Sequence, residues 1–242
     1  MFEPLLFLLF INDLPDSVQA SIKLFADDVK LIGNAVMPDD MQGGLNKLSD
    51  WERKWCLTLN VSKCFVMHMG EANANHGYFL NGSILESVLH ESDLGVTMSY
   101  NCEWKEQMEK AIGKANLTFA WVLCSTVSRL GSVMQPIYKS IIRPHLEYCV
   151  QVLTPTLRRG NWAYKIMSLE SCQRRFTNCI AGLEVLSYKE RLLKLGLTTL
   201  LERRARGDLI ETFKITKGFV DYGHTMFRNS RSSLRAGSPR AE

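Results

Sequence analysis

Residues 4–11, PLLFLLFI, are apolar on every side and stop at Asn12-Asp13-Leu14-Pro15. The run predicts a buried helix that ends before Pro15. ASIKLFA and VKLIG follow, two short runs rich in β-branched and large apolar residues, with Asp27-Asp28 between them and Gly33 after the second. This pattern predicts a hairpin turning on the two aspartates. Over residues 39–57, Met41, Leu45, Leu48, Trp51 and Trp55 recur at helical spacing behind Asp39 and Asp40, which suit a helix start. The runs LTLNV, CFVMHM, GYFLNGSIL and DLGVTM then predict strands, and Asn81-Gly82 is a strong hairpin signal.

From about residue 101 the period becomes helical throughout. Trp104, Met108, Ala111, Ala115, Phe119 and Val122 make one stripe, and Ile166, Leu169, Cys172, Phe176 and Ile180 another. A helix from Val133 to about Tyr148 should bend at Pro144. Leu201, Ala205, Leu209 and Phe213 make a further stripe, flanked by Arg203, Arg204 and Arg206. The expected fold class is α+β: an α+β segment over residues 1–100 and a helical segment over 101–220. Residues 221–242, rich in Ser and Arg, read as a disordered basic tail.

The 242 residues are 46% hydrophobic and 22% charged, a globular composition. The net charge of +4 is unevenly placed. Residues 1–156 carry 12 Lys/Arg against 17 Asp/Glu, and residues 157–242 carry 17 against 8. A basic C-terminal part admits a nucleic-acid partner, although on charge alone a solvated helical surface is the stronger account. Seven widely spaced cysteines without a C-x-x-C pair argue against a zinc site and for an intracellular, reducing compartment, nuclear or cytoplasmic. No run approaches a membrane span, and the apolar start has no basic region before it, so no membrane partner is expected. An apolar run at the second residue suggests that the chain starts inside a domain.

Adjacent carboxylates at a hairpin tip suit divalent-metal chemistry. Mg²⁺ takes hard oxygen ligands and typically keeps one or two protein carboxylates plus substrate phosphates. On spacing alone an ordinary solvated Asp-Asp turn is the stronger account of them.

The longer order of motifs adds to this. PLLFLLFINDLP (4–15) and FADD (25–28) are followed by LNKLSDWERKWCLTLNVSKC (45–64) and DLGV (93–96). Next come KANLTFAWVLCSTVSR (114–129), YKSIIRPHLEYC (138–149) and LESCQRRFT (169–177). LSYKERLLKLGLTTLLERRARGDL (186–209) and FKITKG (213–218) complete the series. In order and spacing these stretches resemble the reverse transcriptase of non-LTR, LINE-type, jockey-like retrotransposons.

The resemblance implies part of a polymerase palm followed by a helical thumb and C-terminal extension. It implies two-metal nucleotidyl transfer with Mg²⁺ or Mn²⁺, an RNA template, a DNA primer and deoxynucleoside triphosphates. Asp27 and Asp28 then become metal ligands. Phe25 and Ala26 shape the strand beneath the nucleotide. Lys63 falls near the incoming triphosphate, with an ordinary surface lysine as the even alternative on chemistry alone. Leu94, Gly95 and Val96 match the hairpin that grips the primer end. Arg174, Arg175, Arg203, Arg204 and Arg206 suit phosphate contact, with ion pairs to Glu170, Glu202 and Asp208 as the competing use.

The chain also departs from the pattern. Glu3 stands where the family has glycine, and the family's further palm aspartate lies upstream of Pro4. The implied metal site is therefore half built, and the expectation is a polymerase fragment inactive as an isolated chain. The competing expectation is a non-catalytic nucleic-acid-binding helical module. The oligomeric state stays open.

Overall fold

The computed structural model describes residues 2–18, 20–70, 73–150 and 162–220. The chain divides into two compact units, Met1–Trp104 and Lys105–Glu242. The expected basic tail at 221–242 lies outside the described residues. The fold is α+β, as expected.

The first unit opens with α1 (Glu3–Ile11) and a single turn, α2 (Leu14–Ser17), with Pro15 in its first positions, where the missing N–H costs nothing. The antiparallel hairpin β1 (Ser21–Phe25) and β2 (Asp28–Ile32) follows, then the long helix α3 (Pro38–Trp55). Ile11, Leu14, Val18, Leu45, Leu48 and Trp51 form the buried centre with Tyr78, Leu80 and Leu85. One face of the hairpin, Ile22 opposite Leu31 and Leu24 opposite Val29, packs on this centre. Gly44 makes that contact possible. A Cβ there would stand 2.9 Å from Ala20 Cβ and 3.2 Å from Leu31 Cδ2.

Asp13 ties the unit together. Its carboxylate accepts from Trp51 Nε1 at 2.8 Å and from Trp55 Nε1 at 3.1 Å. The Phe10 ring meets both indoles edge-on, at centroid distances of 5.9 and 5.2 Å.

Two expectations for this unit need correction. The first is the burial of α1. Only Ile11 is buried and Phe7 and Phe10 half-buried, while Leu5, Leu6, Leu8 and Leu9 are exposed. A helix that is apolar all round can lay only one side on a single partner surface. The second concerns LTLNV, which forms no strand. Glu52 Oε1 accepts from Leu59 N at 2.9 Å, and the chain turns into a 3₁₀ segment, Val61–Lys63.

The rest of the unit is short strands. β3 (Phe65–Val66) pairs in parallel with β6 (Glu86–Ser87). β4 (Phe79–Leu80) and β5 (Ser83–Ile84) form the hairpin expected at Asn81-Gly82, with both φ values positive, +52° and +77°. β7 (His90–Asp93) pairs with β8 (Val96–Ser99).

The second unit is helical: α4 (Lys105–Ser125), α5 (Gly131–Ile137), α6 (Arg143–Glu147), α7 (Trp162–Asn178), α8 (Tyr188–Leu195) and α9 (Leu200–Thr216). Met108, Ala115, Phe119 and Val122 of α4 meet Leu169, Cys172 and Phe176 of α7 in its core, as their stripes predict. Between α5 and α6 the expected bend takes the form of a π-helical turn, Tyr138–Ile142, just before Pro144. Capping boxes fix the starts of α8 (Ser187 with Glu190) and α9 (Thr199 with Glu202).

The stripe on α9 is reversed from expectation. Leu200 and Arg204 are buried, whereas Leu201, Leu209 and Phe213 are exposed, Leu209 at 72%. The Thr199 cap and the burial of Leu200 set the rotation of the helix. The residue four positions on, Arg204, is then carried inward.

Candidate functional site

The core pairs Ile22↔Leu31 and Leu24↔Val29 dictate where the β1–β2 turn falls, because a one-residue slip would turn the apolar set outward. The register closes with Phe25 opposite Asp28. The two turn residues are therefore Ala26 and Asp27, not the two aspartates, and Asp28 opens β2. Ala26 sits at φ +51°, a left-handed conformation that a residue with a Cβ adopts at a cost of about 1–2 kcal/mol. Asp27 and Asp28 are both exposed. Phe25 shares its face with Asp28, Lys23 and Lys30, the face turned away from the core, and is 63% exposed.

A second turn is joined to this one. Leu94 (φ +47°) and Gly95 (φ +78°) connect β7 to β8, a pair of positive values suited to a tight two-residue hairpin, and Val96 beside them is buried. Asp93, the last residue of β7, forms an ion pair with Lys30 of β2. Two stretches more than sixty residues apart in sequence thus meet through this pair.

Lys63 closes the 3₁₀ segment after Asn60, whose Oδ1 accepts from Ser62 N at 3.1 Å and from Ser62 Oγ at 2.6 Å. Its side chain is exposed. Among the described residues no hydrogen bond or ion pair joins it to Asp27 or Asp28. No group of three or more His, Cys, Asp or Glu among them could hold a metal by itself. Two exposed carboxylates fit a hydrated Mg²⁺ whose remaining ligands come from substrate phosphates, and they do not fit an all-protein site.

The five arginines divide. Arg174 lies over the Tyr188 ring at 4.6 Å and Arg175 over Phe119 at 6.0 Å, both on exposed positions of α7, and Arg206 is exposed on α9. Arg203 makes a two-point pair with Glu147, with Nη2 to Oε2 at 3.1 Å, and that carboxylate holds its guanidinium above its ordinary value. Arg204 is 5% exposed and donates to Leu146 O at 3.0 Å. Burial pushes its pKa down. This burial corrects its expected place on a phosphate-facing surface. Of the competing ion pairs, Asp208 acts on Arg204 as expected, whereas Glu147 takes Arg203 and Glu202 caps α9.

Glu170 belongs to a buried polar cluster that the spacing of apolar residues does not reveal. Gln173, fully buried on α7, accepts from Tyr138 Oη at 2.5 Å and donates to Thr198 O at 3.0 Å and to Tyr188 Oη at 2.8 Å. Tyr188 donates to Glu170, whose other oxygen accepts from Leu200 N at 2.9 Å. Burial raises the pKa of both tyrosines, and the Glu170 carboxylate raises Tyr188 further. One signal was available: a polar Gln173 set between Leu169 and Phe176 on an otherwise apolar stripe.

No protein-family model matches the chain, and no solved structure matches it. Over 165 residues, 62% of the chain, it is 23% identical to the RNA-directed DNA polymerase from mobile element jockey of Drosophila funebris. The match covers 18% of that polymerase, so the chain spans less than a fifth of its length. Among the described residues no helix is long and apolar enough to cross a membrane.

Proposed function

We propose that the chain carries the carboxylate hairpin and helical C-terminal part of a reverse transcriptase of the non-LTR retrotransposon type. The observation that carries this reading is the β1–β2 turn: two exposed carboxylates at the tip of a hairpin held by a packed core face. The similarity to a jockey polymerase supports it.

In this reading Asp27 and Asp28 hold Mg²⁺ or Mn²⁺. When bound, the metal lowers the pKa of a primer 3′-hydroxyl and neutralises charge on the departing pyrophosphate. Phe25, exposed beside Asp28, offers an apolar face beneath a nucleotide, and Ala26 keeps the turn free of a bulky side chain. The Leu94–Gly95 turn lies on the hairpin that Lys30 ties to β2, and there Gly95 permits close approach of a primer backbone. Lys63 supplies positive charge for the triphosphate. The attacking 3′-oxygen forms the new bond to the α-phosphorus, and pyrophosphate leaves. Among the described residues no third His, Cys, Asp or Glu groups with the two aspartates.

Primer extension on an RNA template with Mg²⁺ tests this, comparing the chain with an Asp27→Ala/Asp28→Ala variant. Extension by the chain, lost in the variant, establishes polymerase activity and overturns its expected weakness. No extension by either leaves metal binding at the two aspartates as the deciding measurement.

A second reading, a nucleic-acid-binding helical module, is favoured by one observation, the exposed Arg174, Arg175 and Arg206 of the second unit. It predicts RNA or DNA binding without Mg²⁺ dependence. The slope of log K against log salt should fall by about 0.7–0.9 for each of these arginines changed to Ala.

A further inference from the structure

We infer that Lys30 and Asp93 are positioning residues for the carboxylate turn, forming a strut that fixes it against the Leu94–Gly95 turn and keeps the Lys30 ammonium away from Asp28. The inference rests on the metal-binding reading above for its second half only.

The geometry supplies both parts. Alternation along β2 places Asp28 and Lys30 on one face, about 7 Å apart at Cα. Lys23 stands directly opposite Lys30 on the same face, so two like charges meet across the hairpin. Cross-strand like charges are destabilising unless answered. The answer comes from Asp93, at the end of β7 and immediately before the second turn. Without it, two lysines would face the Asp28 carboxylate and compete there with any divalent cation. The pair is partly solvated, with side-chain exposures of 41% and 32%. It is accordingly a register device of modest strength rather than a source of fold stability.

Breaking the pair from either end should loosen both hairpins alike, yet act oppositely on a cation. Asp93→Asn removes a negative charge and frees the ammonium. Lys30→Met removes the ammonium and leaves an extra carboxylate. At about 7 Å and 0.1 M salt, one unit charge changes the affinity for a divalent ion about threefold.

The experiment uses the full chain, unaltered and as Lys30→Met, Asp93→Asn and the reversed pair Lys30→Asp/Asp93→Lys. Amide hydrogen exchange is read over residues 21–32 and 90–99. Mn²⁺ affinity is read from paramagnetic broadening at residues 27 and 28. Each single variant should speed exchange two- to fivefold in both hairpins, and the reversed pair should restore it. Mn²⁺ should bind about threefold tighter to Lys30→Met and about threefold weaker to Asp93→Asn. Faster exchange confined to the mutated hairpin, no restoration by the reversed pair, or Mn²⁺ shifts of one sign in both single variants would overturn the inference. Failure of Mn²⁺ to bind the unaltered chain overturns the metal reading and the strut's role in it, while exchange still decides whether the strut couples the two turns.

Discussion

Replacing Gln173 by Leu removes the hub of the buried cluster while nearly preserving volume. Tyr138 Oη, fully buried, loses its acceptor, and Thr198 O loses the amide N–H that reached it at 3.0 Å. Tyr188 is spared, because its hydroxyl still donates to Glu170. The orphaned Tyr138 hydroxyl costs about 1–3 kcal/mol, and the hydrogen bond lost at the exposed Thr198, whose carbonyl water can reach, adds about 0.5–1.5 kcal/mol. The added apolar contact offsets about 1 kcal/mol of this, near the value of one buried methylene. The expected net loss is about 2 kcal/mol. Tyr138→Phe leaves only the Gln173 oxygen unpaired and should cost about 1–2 kcal/mol.

The double variant should then cost less than the sum of the two, by about 1 kcal/mol, because the second change removes a group already orphaned by the first. Urea unfolding followed by far-UV circular dichroism, which reports the helices of the second unit, measures all four corners of the cycle. A Gln173→Leu cost below 0.5 kcal/mol, or strict additivity of the two changes, would refute the claim that this hydrogen-bonded cluster holds α7 to its neighbours.

Three further outcomes follow from the geometry. Ala26→Gly relieves the left-handed strain of the β1–β2 turn and, after the added freedom of the unfolded chain, should stabilise the hairpin by about 0.5–1 kcal/mol, seen as slower amide exchange over residues 21–32. Asp13→Ala strips both indoles of their acceptor and should destabilise the first unit by about 2 kcal/mol in urea, with a shifted tryptophan emission. Hydrogen bonds from Ser187 hold the Glu190 carboxyl below its ordinary value. Its folded pKa is depressed, so its contribution is complete above the unfolded pKa and is lost as pH falls through the folded one. Thermal melts of the chain and of Glu190→Gln should therefore converge on acidification below about pH 4.

The legible parts of this fold were those set by local periodicity against an apolar partner. The stripes on α4 and α7 meet in the core as their spacing requires. Asn81-Gly82 turns where its two positive φ values need those residues. The α9 stripe misled because Leu201, Ala205, Leu209 and Phe213 satisfy the helical period on a face that the capping box and Leu200 turn outward. The carboxylate hairpin was legible to within one residue. Its turn slid to Ala26-Asp27 because cross-strand register answers to the core pairs and not to turn preference. The Lys30–Asp93 pair and the Gln173 cluster join residues far apart in sequence. No periodicity encodes such contacts.

The π-helical turn at Tyr138–Ile142 has a consequence for the phase of the chain around it. Met134, Tyr138, Ile142 and Leu146 are all buried, one every fourth residue. In a regular α-helix, at 3.6 residues per turn, such a row winds about 40° per step and about 120° over the three steps, far enough to swing one end out of the core. The wider turn between α5 and α6 takes up that winding and keeps the row on one line. One residue deleted between 138 and 142 would let the segment close into an ordinary helix, and the row, then spaced four, three and four residues apart, would wind only about 20° over its length. Tyr138 and Leu146 would still share a face, and the Tyr138 hydroxyl would keep its direction toward Gln173. In this segment one wide turn lets the chain carry a residue more than an α-helical row needs while the same side chains share the core.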